Sequence, residues 1–355
     1  MNATSMTKAI ALYSGGLDST LAVLVLLQQN IDIIAINFTT PFGCSVEDKS
    51  SCSKASDSVA DAYGFVLKYF PLGQTFVEMV KNPKHGHGRN MNPCIDCRIL
   101  MLKEAKRLMA QCGADFIVTG EVLRQRPMSQ NLPTLKLIEQ EAGLEGLLLR
   151  PLSAKLLEET IPEKKGLVDR QKLYGFSSRS RKPQIQLAGT FGLKDIPQPA
   201  GGCLLTDPLY SKRLRDYFTH EPAGTQPRTQ NDTGGIPLLK IGRHFRFSEK
   251  SKLIVGRNHD ENVKIRKYWE ENKNSGVLLS TGEPFPGPTA ILITDNHKNI
   301  REEIETSAGI VARYSDEKNS ASVPVDIADF TSGNSREKRL NITPADDGSI
   351  AQLRI

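Results

Sequence analysis

The chain has 355 residues, 39% of them hydrophobic and 24% charged, with 46 basic against 40 acidic side chains and a formal net charge of +6. This is the composition of an ordinary soluble globular protein, with room for two or three domains. No apolar run reaches the length of a membrane span and residues 1–13 lack the apolar core of a signal peptide, so the expectation is a cytoplasmic protein with no membrane partner.

Residues 9–13 (AIALY) form a short apolar run that suits a buried strand, and residues 19–29 (STLAVLVLLQQ) suit a buried helix of about three turns. Between them lies SGGLDS, a strand-to-helix turn whose glycines allow positive φ and close approach of another group. The N–H groups opening such a helix point at whatever sits in the turn and favour an anion. Ser14, Gly15, Gly16, Ser19 and Thr20 are therefore candidate phosphate-binding residues. Asp18 is either a helix cap or, beside a phosphate, an anchor for Mg2+. The turn has neither the Lys of G-x-x-x-x-G-K-[ST] nor the spacing of G-x-G-x-x-G.

Further strands are expected at 32–40, 65–72 and 115–121, alternating with helices at 53–64 and 98–113. That alternation predicts a parallel sheet with helices on both faces and a ligand crevice beyond the carboxyl ends of the strands. Phe38, Thr119, Gly120 and Glu121 fall at such ends, Phe38 either packing on adenine or belonging to the core. Residues 122–206 read as short helices and loops, and 208–222 as one amphipathic helix. Within them, 164–182 carry seven basic residues and one acid, with Tyr174 and Phe176 interleaved. Such a stretch could follow a phosphate backbone or be a solvated face; Lys164, Lys165, Arg179, Arg181 and Lys182 are the candidate RNA contacts. Residues 223–235 read as a linker. The expected organisation is 1–206 as a nucleotide-binding domain, 207–235 as helix and linker, and 236–355 as a smaller α+β domain with strands in KLIVGRN and TAILIT and a helix in DENVKIRKYWEEN.

NPCIDCR places Cys94 and Cys97 just before a helix, and PAGGCLL places Cys203 on a second loop far along the chain. In a cytoplasmic protein six cysteines are more readily thiols or metal ligands than disulfides. Three thiols without an evident fourth suit a 4Fe–4S cluster held by three corners. A persulfide route through the same thiols is open, as is a zinc site completed by His85 or His87. Cys44 and Cys52 lack this spacing, and Cys112 reads as core.

The turn resembles the S-G-G-x-D-S signature of the PP-loop ATP pyrophosphatases. With NPCIDCR, VTGE and AGGCLLTD in the same order, residues 8–220 resemble the tRNA thiouridine synthetases, both 2-thiouridylases and 4-thiouridine-synthetase relatives. The segment TGEVLRQRPMSQ departs from the T-G-x-Y pattern of the 2-thiouridylases, whose later β-rich domains have no counterpart here. The resemblance implies an adenine-nucleotide α-hydrolase-like (HUP) fold and ATP with Mg2+ as cofactors. It implies an ATP-dependent tRNA sulfurtransferase that adenylates a uridine carbonyl oxygen and then admits sulfide, with Asp18, Cys94, Cys97 and Cys203 as its working residues. It also implies tRNA and a sulfur donor (free sulfide or a cysteine desulfurase) as partners, and admits a homodimer. The alternatives are a PP-loop amide or nitrile ligase with a structural zinc, and a non-catalytic RNA-binding or sulfur-relay protein. IVGRNHDENVKIRKYW, GPTAILI and ARYSDEKNSASVPVDIADF resemble the NFACT-R RNA-binding module, carried by Arg257, Asn258 and Asn262. That implies Arg257 and Asn258 as further RNA contacts, in a segment whose own net charge is near zero.

Overall fold

Strand β1 (Lys8–Leu12) leads into helix α1 (Leu17–Leu27), followed by β2 (Asp32–Thr39), α2 (Ser51–Tyr63) and β3 (Val66–Pro71). Then come α3 (Gly73–Lys81), α4 (Cys94–Cys112), β4 (Phe116–Thr119), α5 (Leu132–Glu141), β5 (Leu148–Leu149), α6 (Ile161–Lys164) and α7 (Lys182–Thr190). The computed structural model describes residues 6–43, 51–193, 196, 203–220, 234–272, 276–281, 285–294, 300–329 and 336–355. Cys44, the side chain of Cys52 and residues 223–233 of the expected 223–235 linker lie outside them.

The five strands pair in the order β3-β2-β1-β4-β5, all parallel. Successive side chains of β1 alternate between faces, as strand geometry requires. Ala9 and Ala11 join the core built with α1 and α7, whereas Ile10 and Leu12 join the core built with α4 and α5. Helices therefore cover both faces, as the alternation predicts. Strand order reverses at β1, whose neighbours are β2 on one side and β4 on the other. The loops after β1 and β4 thus open at a topological switch point, where such sheets place ligands.

The chain divides into two compact units, the first running to Asp207. Helix α8 (Pro208–Thr219) belongs to the second, together with the residues from Gly234 onward. The second unit continues with β6 (Arg243–Ser248), β7 (Ser251–Val255), α9 (His259–Glu271), β8 (Val277–Ser280), β9 (Thr289–Thr294), α10 (Ile300–Arg313), β10 (Val323–Asp329), β11 (Arg336–Ile342) and α11 (Asp347–Leu353). Its six strands form an antiparallel sheet in the order β11-β10-β8-β9-β7-β6. Ile265 and Trp269 of α9 pack with Ile254, Leu278 and Ile291 on one face. Ala308, Ile310 and Val311 of α10 pack with Leu253, Val255 and Leu292 on the other.

Candidate nucleotide and cysteine site

Gly15 turns the chain with φ +74°, and Gly16 is the N-cap of α1. No side chain caps this helix, so Asp18 is not the cap that one reading of the sequence allowed. The first-turn N–H groups remain for a ligand. The turn is braced from inside: Ser19 Oγ donates to the Gly16 carbonyl at 2.9 Å and lies 3.2 Å from Ser14 Oγ. Tyr13 Oη lies 3.2 Å from Thr20 Oγ1, fixing the strand end to the helix.

Gly120 abuts this turn from β4. A Cβ at Gly120 would lie 2.5 Å from both the Asp18 carbonyl carbon and the Ser19 nitrogen, so only glycine lets the two backbones meet. Thr119 and Glu121 beside it are buried. Thr119 Oγ1 donates to Glu121 Oε2 at 3.1 Å, and Arg150 Nε donates to the same oxygen at 3.1 Å. Burial alone would raise the Glu121 pKa; the charges of Arg150 and Arg98 overcome it and hold the carboxylate below its ordinary range. Arg150 and Arg98 carry no signal of this in the sequence, because the pairing is made by tertiary approach.

Asp18 accepts a hydrogen bond from Gln125 Nε2 at 3.0 Å through Oδ2, while its Oδ1 is buried with no hydrogen-bond partner. Burial raises its pKa; Gln125, Arg181, Arg126 and Gln184 pull the other way. Gln184 is fully buried beside Asp18; its amide is near enough to favour the carboxylate, though neither of its atoms closes a hydrogen bond of strict geometry. A buried carboxylate oxygen left without a partner fits a divalent cation, so the residues present suit the Mg2+ that the sequence implies. Phe38 is partly buried against the α4–α5 core, edge-on to Phe70 with centroids 5.8 Å apart.

Cys94 and Cys97 lie in the first turn of α4 and not on the loop before it. Pro93 is the N-cap, and the Cys97 N–H donates to its carbonyl at 2.8 Å, which carries the helix four residues earlier than its apolar pattern announces. The i, i+3 spacing puts both sulfurs on one face. Cys203 is exposed and opens a short 3₁₀ turn over Leu204–Thr206. Two bonds tie that turn to the loop entering α4: Met91 N to Leu205 O at 3.0 Å, and Asn90 Nδ2 to Thr206 O at 2.6 Å. The three cysteines are neighbours close enough to act on one another's charge. Burial pushes the Cys97 thiol up to about 12, with Arg98 opposing the shift.

Among the described residues no three or more His, Cys, Asp or Glu side chains are gathered to hold a metal ion. Cys94, Cys97 and Cys203 are neighbours without forming such a group among the described residues. The zinc alternative fares no better: His87 Nε2 lies 2.8 Å from the Val80 carbonyl oxygen and His85 Nε2 3.0 Å from a Glu141 carboxylate oxygen.

The basic stretch is partly core. Tyr174 and Phe176, tilted to one another with centroids 5.0 Å apart, pack partly buried against the α1–α7 core. Arg170 is spent on Glu163 at 2.6 Å and on the Ala154 and Leu157 carbonyls. Lys164, Lys165, Arg179 and Lys182 are exposed. Arg181 is the N-cap of α7, and its charge bears on Asp18. In the second unit, Arg257 forms an ion pair with Glu261, and Asn258 caps α9 by accepting from the Glu261 N–H at 3.0 Å. Asn262 Oδ1 accepts from the Thr289 N–H at 3.0 Å. The three residues that mark this segment therefore all have structural work.

A doubly covered parallel sheet with an S-G-G-x-D-S turn at its switch point defines a PP-loop, HUP-like unit, here followed by a separate antiparallel α+β unit. Residues 4–163 match the family described as thiamine biosynthesis protein (ThiI), and residues 242–354 match the NFACT protein RNA binding domain. The chain thus matches a ThiI-type segment followed by an NFACT-type segment, and Cys203 lies outside both matches.

A "Probable tRNA sulfurtransferase" of Thermococcus kodakarensis is 27% identical over 163 residues, 43% of this chain and 39% of that one. A tRNA-specific 2-thiouridylase MnmA 1 of Syntrophus aciditrophicus is 30% identical over 239 residues, 63% of this chain and 59% of that one. The chain therefore spans well under two thirds of the first of these relatives. A 4-thiouridine synthetase–RNA complex with bound ATP is 20% identical, covering 66% of this chain and 52% of that one, with a TM-score of 0.34, too low for the superposition to bear on function. No described helix is long and apolar enough to cross a membrane.

Proposed function

We propose that this protein is an ATP-dependent tRNA sulfurtransferase. The observation that carries the reading is the joining of two half-sites in one unit: an uncapped helix start with a buried, unpartnered Asp18 oxygen, and Cys203 tied by the 203–206 turn to the loop that presents Cys94 and Cys97. The first-turn N–H groups of α1 and the Ser14 hydroxyl hold the phosphates of ATP. Asp18 holds Mg2+, which supplies charge neutralisation at the phosphates when bound. The turn positions the α-phosphorus for attack by a uridine carbonyl oxygen, and pyrophosphate leaves.

Sulfide then replaces AMP at the activated carbon. Cys203, the exposed thiol, is the one a donor or the RNA can reach; burial raises the pKa of both Cys97 and Cys203. The base must leave its stack to arrive here, at a cost of about a few kcal/mol. Exposed Arg179 and Lys182 and the second unit hold the RNA.

The test is ATP–pyrophosphate exchange with unmodified tRNA, paired with mass spectrometry of the nucleosides. Cys203→Ala is expected to keep exchange and abolish thiolation; thiolation at the wild-type rate would sink the cysteine assignment. Iron and sulfide analysis of protein purified without oxygen decides whether the sulfide is carried on a cluster: about four of each per chain, lost in Cys94→Ala, is the result that supports it.

A further inference from the structure

The loop after β4 departs from the sequence pattern of the 2-thiouridylases, and the structure shows what occupies it. Residues 122–131 form a tight knot. The Arg124 N–H donates to the Gln130 carbonyl at 2.7 Å, and the Arg126 N–H donates to Gln130 Oε1 at 3.0 Å. The Gln130 N–H returns to the Arg126 carbonyl at 3.0 Å, and Gln130 is buried. Arg124 holds φ +63°, so the backbone is turned by more than its side chains.

This knot touches both half-sites. On one side Gln125 donates to Asp18 at 3.0 Å. On the other, Met128 packs on Gly88, where a Cβ would meet the Met128 methyl carbon at 2.5 Å. Gly88 belongs to the loop that enters α4, its N–H donating to the Asn92 carbonyl at 2.9 Å. Arg126 lies along the chain between Gln125 and Met128, which make these contacts. Its backbone is fixed, its side chain is exposed, and no hydrogen bond or ion pair among the described residues engages the guanidinium. Its charge reaches both Asp18 and Cys203.

We propose that Arg126 is a catalytic residue of the sulfur-transfer step, the cation that holds the phosphate of the adenylated base while sulfide is delivered from the Cys203 side. The inference rests on the sulfurtransferase reading above. In the adenylated base, the acceptor carbon has a single bond to the AMP oxygen and a double bond to its ring nitrogen. Hydrosulfide forms the carbon–sulfur bond. The carbon–oxygen bond breaks with its electron pair going to AMP, and the hydrosulfide proton ends on the ring nitrogen. The phosphate gains a negative charge as AMP departs, so a fixed cation there stabilises the transition state more than the ground state. A guanidinium also offers paired donors that fit two phosphate oxygens.

The experiment measures two rates on the full chain: ATP–pyrophosphate exchange, and single-turnover thiolation of an unmodified tRNA transcript pool with ATP and sodium sulfide. Arg126→Gln is expected to keep exchange within about threefold and to slow thiolation by about 100-fold, the usual effect of deleting one preorganised donor. Arg126→Lys is expected to recover part of the loss, and it carries the test if the glutamine variant melts early. Thiolation at the wild-type rate would overturn the proposal. A parallel fall in both rates would overturn it too, since the residue would then serve nucleotide binding alone. A wild-type chain with no exchange at all would instead sink the ATP reading on which the proposal stands.

Discussion

Asp18 is the residue whose surroundings are hardest to explain without a ligand. Burial raises its pKa, so the folded chain binds its proton more tightly than the unfolded chain does. The linkage has a definite sign. Stability falls as pH rises from the ordinary carboxylate range through the raised value, and the penalty is complete above it. Asp18→Asn is therefore expected to melt higher than the wild type at pH 7, with the gain vanishing at low pH, while losing exchange activity. Paired melting curves across that range check it. A lower melting temperature at pH 7 would show the carboxylate to be structural. Much of this residue's role was legible, since Gly-Gly followed by an acid and a serine between a strand and a helix leaves few readings. Arg126 and the Arg150–Glu121 pair were not, because neither lies in a periodic pattern.

At the scale of elements, the helices and strands that bury a continuous apolar run were the legible ones. The β1–α1 pair and α9 lie within a few residues of their sequence-based bounds. Strand β11 (REKRLNI) was silent because an edge strand carries charge on exposed positions, which guards its unpaired side. Strand β10 hides behind Pro324, which the structure tolerates because β8 pairs only with residues 326–329. The sequence places Cys94 and Cys97 just before a helix, and the structure puts them in its first turn, because proline just before a helix is no obstacle to starting one.

Asn258 makes the complementary case. Its place in the family likeness pointed to RNA, and its geometry is that of a cap on α9. Asn258→Ala is expected to cost the second unit about 1 kcal/mol, and Asn258→Asp to restore most of it. Urea unfolding followed by Trp269 fluorescence reads this directly. If RNA affinity falls in both variants while only alanine loses stability, the side chain also contacts RNA.

At the scale of the whole molecule, the division into units moves a boundary. The sequence places 207–235 apart as helix and linker, whereas the compact division falls at Asp207 and gives α8 to the second unit. A fragment ending at residue 207 is expected to be soluble and monodisperse and to bind ATP. One ending at residue 235 would carry α8 with the buried side chains of Tyr210 and Leu214 uncovered, and is expected to bind a hydrophobic dye and to self-associate. Size-exclusion chromatography of the two fragments distinguishes them.

The attachment of α8 is ionic as well as apolar. Asp216 receives Arg246 at 2.6 Å and the buried Lys252 at 2.8 Å, and Arg213 reaches the Leu239 and Gly242 carbonyls at 3.1 and 2.9 Å. Pulling α8 away would take Asp216 from Lys252, whose pKa burial has already lowered to about 8, and leave it facing Arg246. A protease that severed the backbone between His220 and Gly234 would therefore release nothing. The nicked protein would run as two peptides in denaturant and as one particle in buffer, with α8 retained by its neighbours after its covalent tether to them is gone.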